Sequence, residues 1–455
     1  MTFQGRVPPM DIIICGGGDI GGAAAEALAK RGNNVTVIDT DESRLAFLEE
    51  HLDIAKLRGV ASSAETLRAA GAASADAVIA ATGIDEVNLV CATVAASLGA
   101  DRTLARVDHS LYLGNESMDY ATLFSVDRLF SPDRATARAM AARLSNPAAL
   151  AVSRVARGTV EIQDFQVDND GSASGKRLRD VAMPPGSRVV AIRRDDHWRL
   201  PTADSRFKIG DRVTVVVDST RYDELDGLFT AHRTRRRNVV VFGGSPAAVW
   251  LCRALHNRVA SIRLFEADHE RSQSLADKLD WVTVVNADLT AGSVFEELAG
   301  NKIDAFLALG DDDENMLSSA LAKRHGIPMI ITMTHRTSLI PLLEDLGVTE
   351  SFNPCSSALE DILHFISDAD FEQVSTLGGD ELELVRVRVG ARSPLADQPL
   401  RNVPPDSGIV VAVVEDKAEN GHVPRPDDLL SAGRHVLVAC ETGREKKLRK
   451  LFDAG

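Results

Sequence analysis

A glycine turn set between two short apolar runs constrains this chain more than any other feature. Ile12-Ile13-Ile14-Cys15 leads into Gly16-Gly17-Gly18-Asp19-Ile20-Gly21, then an alanine-rich segment, then Val35-Thr36-Val37-Ile38-Asp39. An apolar run, a glycine turn, a helical segment and a second apolar run ending in an acid read as strand, helix, strand. Gly16, Gly18 and Gly21 fit G-x-G-x-x-G, and Asp39, with Thr40 next to it, lies where the acid of a ribose site belongs. Gly16 permits the tight turn and Gly18 lets the backbone approach a pyrophosphate. Gly21 lets the helix pack closely on its strand, and the helix N-terminus offers unpaired N–H groups to phosphates. The stretch is a candidate nucleotide site.

Length and composition bound the rest. At 455 residues the chain holds two or more domains, with enough core to need no disulfide or metal staple. Its five cysteines, Cys15, Cys91, Cys252, Cys355 and Cys440, are scattered and form no Cys-x-x-Cys, so they read as small buried apolar residues. Residues 1–9 lack the apolar stretch of a signal peptide, and Met10 could be the native start. No run approaches eighteen apolar residues. A net charge of −15 argues against a general nucleic-acid or anionic-membrane binder, which such a surface would repel. The one basic cluster, residues 233–237, reads as a charged linker before a strand.

Strand and helix signals alternate from Met10 to about residue 150. Glu42 to His51 has helical spacing, Leu57 to Ser63 reads as a loop, and a helix follows through Leu67. Ala77 to Ala81 is a buried strand ending at Thr82-Gly83 and the polar turn Asp85-Glu86. Asn88 to Leu98 is helical and Thr103 to Val107 is another strand. This order predicts a parallel, doubly wound sheet whose strand ends, at Cys15, Asp39, Thr82 and Arg106, converge on one crevice. From about 151 the texture turns β-rich, with strands at Thr159 to Val167, Arg188 to Arg193 and Arg212 to Val217. That predicts a small α+β module.

The whole pattern then returns. The same interval separates Gly16 from Gly243, Asp39 from Glu266 and Asn88 from Asn315, which signals an ungapped tandem duplication. Met183-Pro-Pro-Gly-Ser187 is answered by Val403-Pro-Pro-Asp-Ser407, so the small module recurs too. The expected architecture is α/β, with two tandem Rossmann-like domains, each followed by an α+β module. Its divisions are 10–150, 151–232, 233–371 and 372–455.

These stretches, with Ala105-Arg106-Val107 and Gly171-Ser-Ala-Ser-Gly175-Lys176-Arg177-Leu178, resemble the RCK family, regulators of potassium conductance also known as TrkA-N and TrkA-C pairs. The resemblance covers nearly all of the chain after Met10. It implies a non-enzymatic, cytoplasmic, peripheral regulator of bacterial Trk potassium uptake, assembled as a ring of four chains beneath a membrane channel of the TrkH/TrkG type. It implies NAD(H) or ATP/ADP as the ligand that shifts the ring. Carried over by position, Gly16, Gly17, Gly18, Asp19, Ile20 and Gly21 form the phosphate loop and Asp39 with Thr40 the ribose end. Thr82 and Gly83 lie beside the cofactor, and Arg106 meets phosphate.

The second half departs from that pattern. Ser245 answers Gly18, Ala248 answers Gly21, Pro246 removes an N–H, and Met333 stands where Arg106 would be. Glu266 keeps the acid, and Asp311 to Glu314 are expected to crowd the crevice with negative charge. Nucleotide binding is therefore expected in the first half. Other readings fit less well. None of Tyr112, Tyr120 and Tyr222 has a Lys four residues on, as a short-chain dehydrogenase would need, so an NAD-dependent oxidoreductase is the weaker alternative. A regulator of a different cation transporter is the other. Gly171 to Arg177 is one residue short of a P-loop, and the histidines show no metal-ligand spacing.

Overall fold

The computed structural model describes residues 9–113, 118–145, 151–156, 159–195, 197–225, 227–230, 237–256, 258–288, 295, 302–366, 371–377, 381–404, 407–416 and 420–453. The expected boundaries at 150 and 233, most of the basic cluster and the turn residues Pro405-Asp406 lie outside them, as do residues 1–8.

The first half opens with β1 (Asp11–Cys15), α1 (Asp19–Lys30), β2 (Asn34–Asp39), α2 (Glu42–His51), β3 (Ala55–Arg58) and α3 (Ala64–Ala69). It continues with β4 (Ala77–Ala80), α4 (Asp85–Leu98), β5 (Thr103–Arg106), α5 (Ser110–Leu113), α6 (Tyr120–Leu123), β6 (Arg128–Phe130) and α7 (Pro132–Ser145). The strands lie in the order β3-β2-β1-β4-β5-β6, with every pair parallel. This is the doubly wound sheet that the alternation predicts, with the order reversing beside β1. β1 is buried on both faces, so it carries Ile, Ile, Ile and Cys without alternation.

Five strands follow: β7 (Ala151–Val155), β8 (Val160–Gln166), β9 (Ser187–Arg194), β10 (His197–Arg199) and β11 (Arg212–Asp218). They form an antiparallel sheet. Leu178–Asp180 is a single 3-10 turn, so no α-helix follows Gly171 to Arg177 as a P-loop would need.

The second half repeats both. β12 (Asn238–Phe242), α8 (Pro246–Leu255), β13 (Ser261–Glu266), α9 (His269–Lys278), β14 (Thr283–Asn286) and β15 (Ala305–Ala308) come first. Then come α10 (Asp312–Arg324), β16 (Ile330–Met333), α11 (Ile340–Asp345), β17 (Glu350–Phe352) and α12 (Pro354–Ile366). Its parallel sheet runs β14-β13-β12-β15-β16-β17. β18 (Phe371–Leu377), β19 (Leu382–Arg388), β20 (Ile409–Glu415), β21 (Gly421–His422) and β22 (His435–Glu441) form the second antiparallel sheet, and α13 (Glu445–Phe452) ends the chain.

The structure corrects three local expectations. Leu57 and Arg58, read as the start of a loop, instead end the edge strand β3 (Ala55–Arg58); its half-exposed Ala-Lys-Leu-Arg carries no apolar run to betray it. Asp85-Glu86 is not a turn but the first turn of α4, where acidic side chains oppose the positive end of the helix dipole. The repeat is also not ungapped. The starts of β3 and β14, and of β4 and β15, stand one residue further apart than Gly16 and Gly243 do, whereas the starts of α4 and α10 return to the original interval. The loop between β15 and α10 is thus one residue shorter than its counterpart after β4.

The chain divides into two compact units, one of Met1–Met140 with Arg237–Ser367 and one of Ala141–Arg236 with Asp368–Gly455. In the first unit the two Rossmann halves exchange their last helices. Ala358, Ile362 and Ile366 of α12 are buried in one core with Ile12, Ile14 and Leu28 of the first half. Arg102 donates from its Nη1 to the carbonyls of Phe365 and Ile366, satisfying the end of that helix. In return, Arg134 of α7 stacks over the Trp250 ring of α8 at 5.0 Å. In the second unit the two antiparallel sheets share a core, with Val160, Ile162 and Val216 against Leu384, Val413 and Leu437. Arg188 also donates to the carbonyls of Val411 and Pro424.

If α12 is part of the first half's core, Ile362→Ala should lower unfolding free energy by about 2–4 kcal/mol. Hydrogen exchange in α1 should speed up although the two helices are far apart in the sequence. Unchanged exchange in α1 would contradict the exchanged packing.

Candidate functional site

The first crevice is built by the turn between β1 and α1. Gly16 has φ +107°, and a Cβ there would stand 2.9 Å from the Ala81 carbonyl oxygen. A Cβ on Gly21 would stand 1.8 Å from the carbonyl oxygen of Gly16, so α1 can cross the turn only without a side chain there. Gly18 is different. A Cβ there would meet nothing closer than Nη1 of Arg44, at 3.9 Å, so the fold does not demand glycine at that position. As the N-cap of α1 it supplies no side-chain acceptor, which leaves the first amides of the helix without a cap. Asp19 is exposed in the first turn, while Ile20 is buried beneath it.

Asp39 ends β2 and holds the turn in place. The Gly17 N–H donates to its Oδ2 at 2.6 Å and the Asp41 N–H to its Oδ1 at 2.9 Å. Thr40 is exposed beside it, its carbonyl accepting from Arg58. Across the crevice, Asn88 is fully buried and ties two strand ends together. Its amide donates to the carbonyls of Thr82 and Arg106, and its Oδ1 accepts from the Thr82 N–H at 2.8 Å. Gly83 stands open, with nothing within 4 Å of an added Cβ. Arg106 is already engaged. Its Nη2 lies 2.6 Å from Asp108 Oδ2 and its Nε 3.2 Å from Asp108 Oδ1, a two-point ion pair.

A cleft of about 480 Å³ opens beside Gly83, between Asp85, Asp108, His109, Tyr112 and Pro246 of the second half. Asp85 accepts the N–H groups of Asp108 and His109, each at 2.9 Å. Tyr112 donates to Glu86 at 2.8 Å, and that bond pushes the phenol up to about 12. At the start of α7, burial and then the charge of Asp108 push Asp133 up to about 6, against the pull of Arg106 and His335.

The second crevice keeps the frame and loses the openings. Gly243 has φ +88°, and the Gly244 N–H donates to Glu266 Oε2 at 2.8 Å as Gly17 does to Asp39. Asn315 repeats Asn88, bonding Gly310 and the Met333 carbonyl. Ser245, however, caps α8 by accepting the Ala248 N–H at 3.3 Å, and Pro246 at the first helical position has no N–H. Glu266 is 5% exposed and lies 3.4 Å from Arg271. The expected crowd of negative charge needs correcting. Arg336, in the place of His109, pairs with Asp312 at 3.1 Å and with Asp313 at 2.6 Å. Sequence reasoning missed Arg336 because it looked for a cation only at Met333. It also missed the tying role of Asn88, although the Asn88–Asn315 repeat signalled it.

The family model of the TrkA-N domain matches residues 12–132 and 239–354, and that of the TrkA-C domain matches 162–230 and 384–453. The chain belongs to the TrkA family. The Trk system potassium uptake protein TrkA homolog of Archaeoglobus fulgidus is 29% identical over 97% of this chain and all of its own. The TrkA of Halomonas elongata is 28% identical over 98% of this chain and 99% of its own. Among solved structures, the RCK domain of GsuK superposes with a TM-score of 0.59 at 15% identity, over 99% of this chain and 96% of that one. The GsuK channel bound to NAD gives 0.61 at 14% identity, over 99% and 79%. These likenesses show that this TrkA-family chain has the RCK fold.

One outcome follows from the loop and a second from Asp133. Gly18→Ser should leave thermal stability nearly unchanged, whereas Gly21→Ala should destabilise by more than about 3 kcal/mol, because a backbone oxygen occupies the Cβ position. Equal effects of the two on the unfolding midpoint would contradict this division. The second concerns pH. A carboxyl raised to about 6 in the folded chain costs nothing below its unfolded value near 3.8, and its full cost is present above 6. Asp133→Asn should therefore stabilise by about 2 kcal/mol at pH 7 and by almost nothing at pH 4. Urea unfolding at the two pH values measures the difference.

Proposed function

We propose that this chain is the nucleotide-sensing regulatory subunit of a Trk-type potassium uptake system. In this reading it is not an enzyme. It acts from the cytoplasmic face on a TrkH/TrkG-type membrane subunit and assembles as a ring of four chains. The divisions near 150, 233 and 371 then separate one sensing and one degenerate Rossmann-like domain from two small modules. The TrkA family membership supports the system, and the names of the relatives supply potassium uptake. No helix among the described residues is long and apolar enough to cross a membrane, which fits a subunit that relies on a membrane partner.

NAD(H) is the favoured ligand, with ATP/ADP as alternatives, and the first crevice is the site. The uncapped amides at the start of α1 receive the phosphates, with Gly16, Gly17, Gly18, Asp19, Ile20 and Gly21 forming the loop around them. Asp39 and Thr40 receive the adenosine ribose, and Thr82, Gly83 and Arg106 border the far end. The observation that carries this reading is the uncapped start of α1, beside which Gly18 leaves open space. The same fold in the second half has its helix start capped by Ser245 and Pro246, so that crevice is proposed to be silent. A hydride-transfer reading finds less support, because the second half repeats the first instead of adding a substrate domain.

The test is potassium flux into vesicles that carry the membrane subunit together with this chain. NADH, NAD, ATP or ADP should change the flux, and the Gly18→Ser chain should still bind the vesicles but lose that response. Flux insensitive to all four nucleotides with the wild-type chain would contradict the regulatory role.

A further inference from the structure

We propose that Arg44 is the phosphate-contacting cation of the first crevice, and that its counterpart Arg271 closes the second crevice by pairing with Glu266. The proposal rests on reading the first crevice as a nucleotide site.

Arg44 lies in the first turn of α2, directly after the end of β2, and its Nη1 is the nearest atom to the space above Gly18, at 3.9 Å. A pyrophosphate seated on the α1 amides would occupy that space. The Arg44 side chain is 58% exposed and has Asp41 as its ion-pair partner, with Nε at 3.6 Å, a distance that leaves its two-pronged face available. Arg106, the cation that family position suggests, has that face bound to Asp108 at 2.6 Å and 3.2 Å. A phosphate would have to break this ion pair to use Arg106. It need break no close contact to use Arg44.

The repeat provides an internal comparison. Arg44 and Arg271 are separated by the same interval as Asp39 and Glu266, so each arginine follows its acid at the same step. In the first half the acid is short, and its oxygens receive the N–H groups of Gly17 and Asp41. In the second half the acid is longer by one methylene. Its Oε2 lies 3.4 Å from Arg271 Nη1 while still receiving the Gly244 N–H. The arginine that stands over the loop in one half is therefore held on the ribose acid in the other. A ligand entering the second crevice would have to displace Arg271 from an acid that is 5% exposed. Surrounding charge sharpens the point. Asp19, Asp39 and Asp41 stand around the first loop, and a dianionic pyrophosphate among them needs a mobile cation close by.

The experiment titrates the full chain, as wild type, Arg44→Gln, Arg44→Lys and Arg106→Gln, with ADP, NADH and adenosine at two ionic strengths. The exposed position of Arg44 makes its two variants safe for folding. Arg44→Gln should weaken ADP and NADH about 10–100-fold while changing adenosine by no more than about threefold. The salt sensitivity of ADP binding should fall with it. Arg44→Lys should lose less, because it keeps the charge, and Arg106→Gln should lose less than Arg44→Gln. Wild-type affinity for ADP in Arg44→Gln, or an equal loss for adenosine, would overturn the assignment and leave the nucleotide site itself standing. A wild-type chain that binds neither ADP nor NADH would overturn both.

Discussion

The first turn of an α-helix carries N–H groups that the helix itself cannot satisfy, and the two halves of this chain meet that constraint in opposite ways. α1 follows Gly18 and is left uncapped, whereas α8 follows Ser245, whose hydroxyl accepts the Ala248 N–H. A serine cap stabilises a helix by about 1 kcal/mol. The first half forgoes that stabilisation and keeps donors facing open space, which is the condition for receiving an anion. Both halves retain the parts that hold the turn in place. The left-handed glycine, the carboxylate that accepts the next amide and the buried asparagine between two strand ends recur in each. What differs is the chemistry at the mouth, with the frame left intact.

The exchanged helices give the mouth a mechanical context. α1, whose start follows the glycine turn, packs against α12, and α12 is donated by the other half and held at its end by Arg102. Along the chain α12 leads to β18, and α7 leads likewise to β7. A rigid, close-packed contact transmits a displacement better than a hydrated one. α1 and α12 share such a contact.

Much of this was legible in the sequence. β1, α1 and β2 announce themselves because a doubly buried strand leaves an unbroken apolar run and because the glycine turn punctuates it. The duplication could be read from Gly243, Glu266 and Asn315. β3 was hidden because an edge strand needs no apolar run, and the one-residue slip around β14 and β15 was hidden because the later landmarks fall back into phase. The helix exchange could not be read at all. The apolar face of α12 shows that it packs on something, but Ala358, Ile362 and Ile366 do not name the partner. The cations were the least legible part. Arg106 lies at the expected strand end yet is paired with Asp108, while the approach of Arg44 to Gly18 and of Arg336 to Asp312 is encoded by no spacing rule.

One chain thus carries, on the same frame, an uncapped helix start in its first crevice and a capped one in its second. Native mass spectrometry of the chain over a rising NADH concentration counts bound ligands per chain most directly. One nucleotide per chain, with the second appearing only at a concentration at least about a hundredfold higher, is the predicted result. Two nucleotides per chain filling together would contradict it, because the cap on α8 and the Arg271–Glu266 pair would then not close the second crevice.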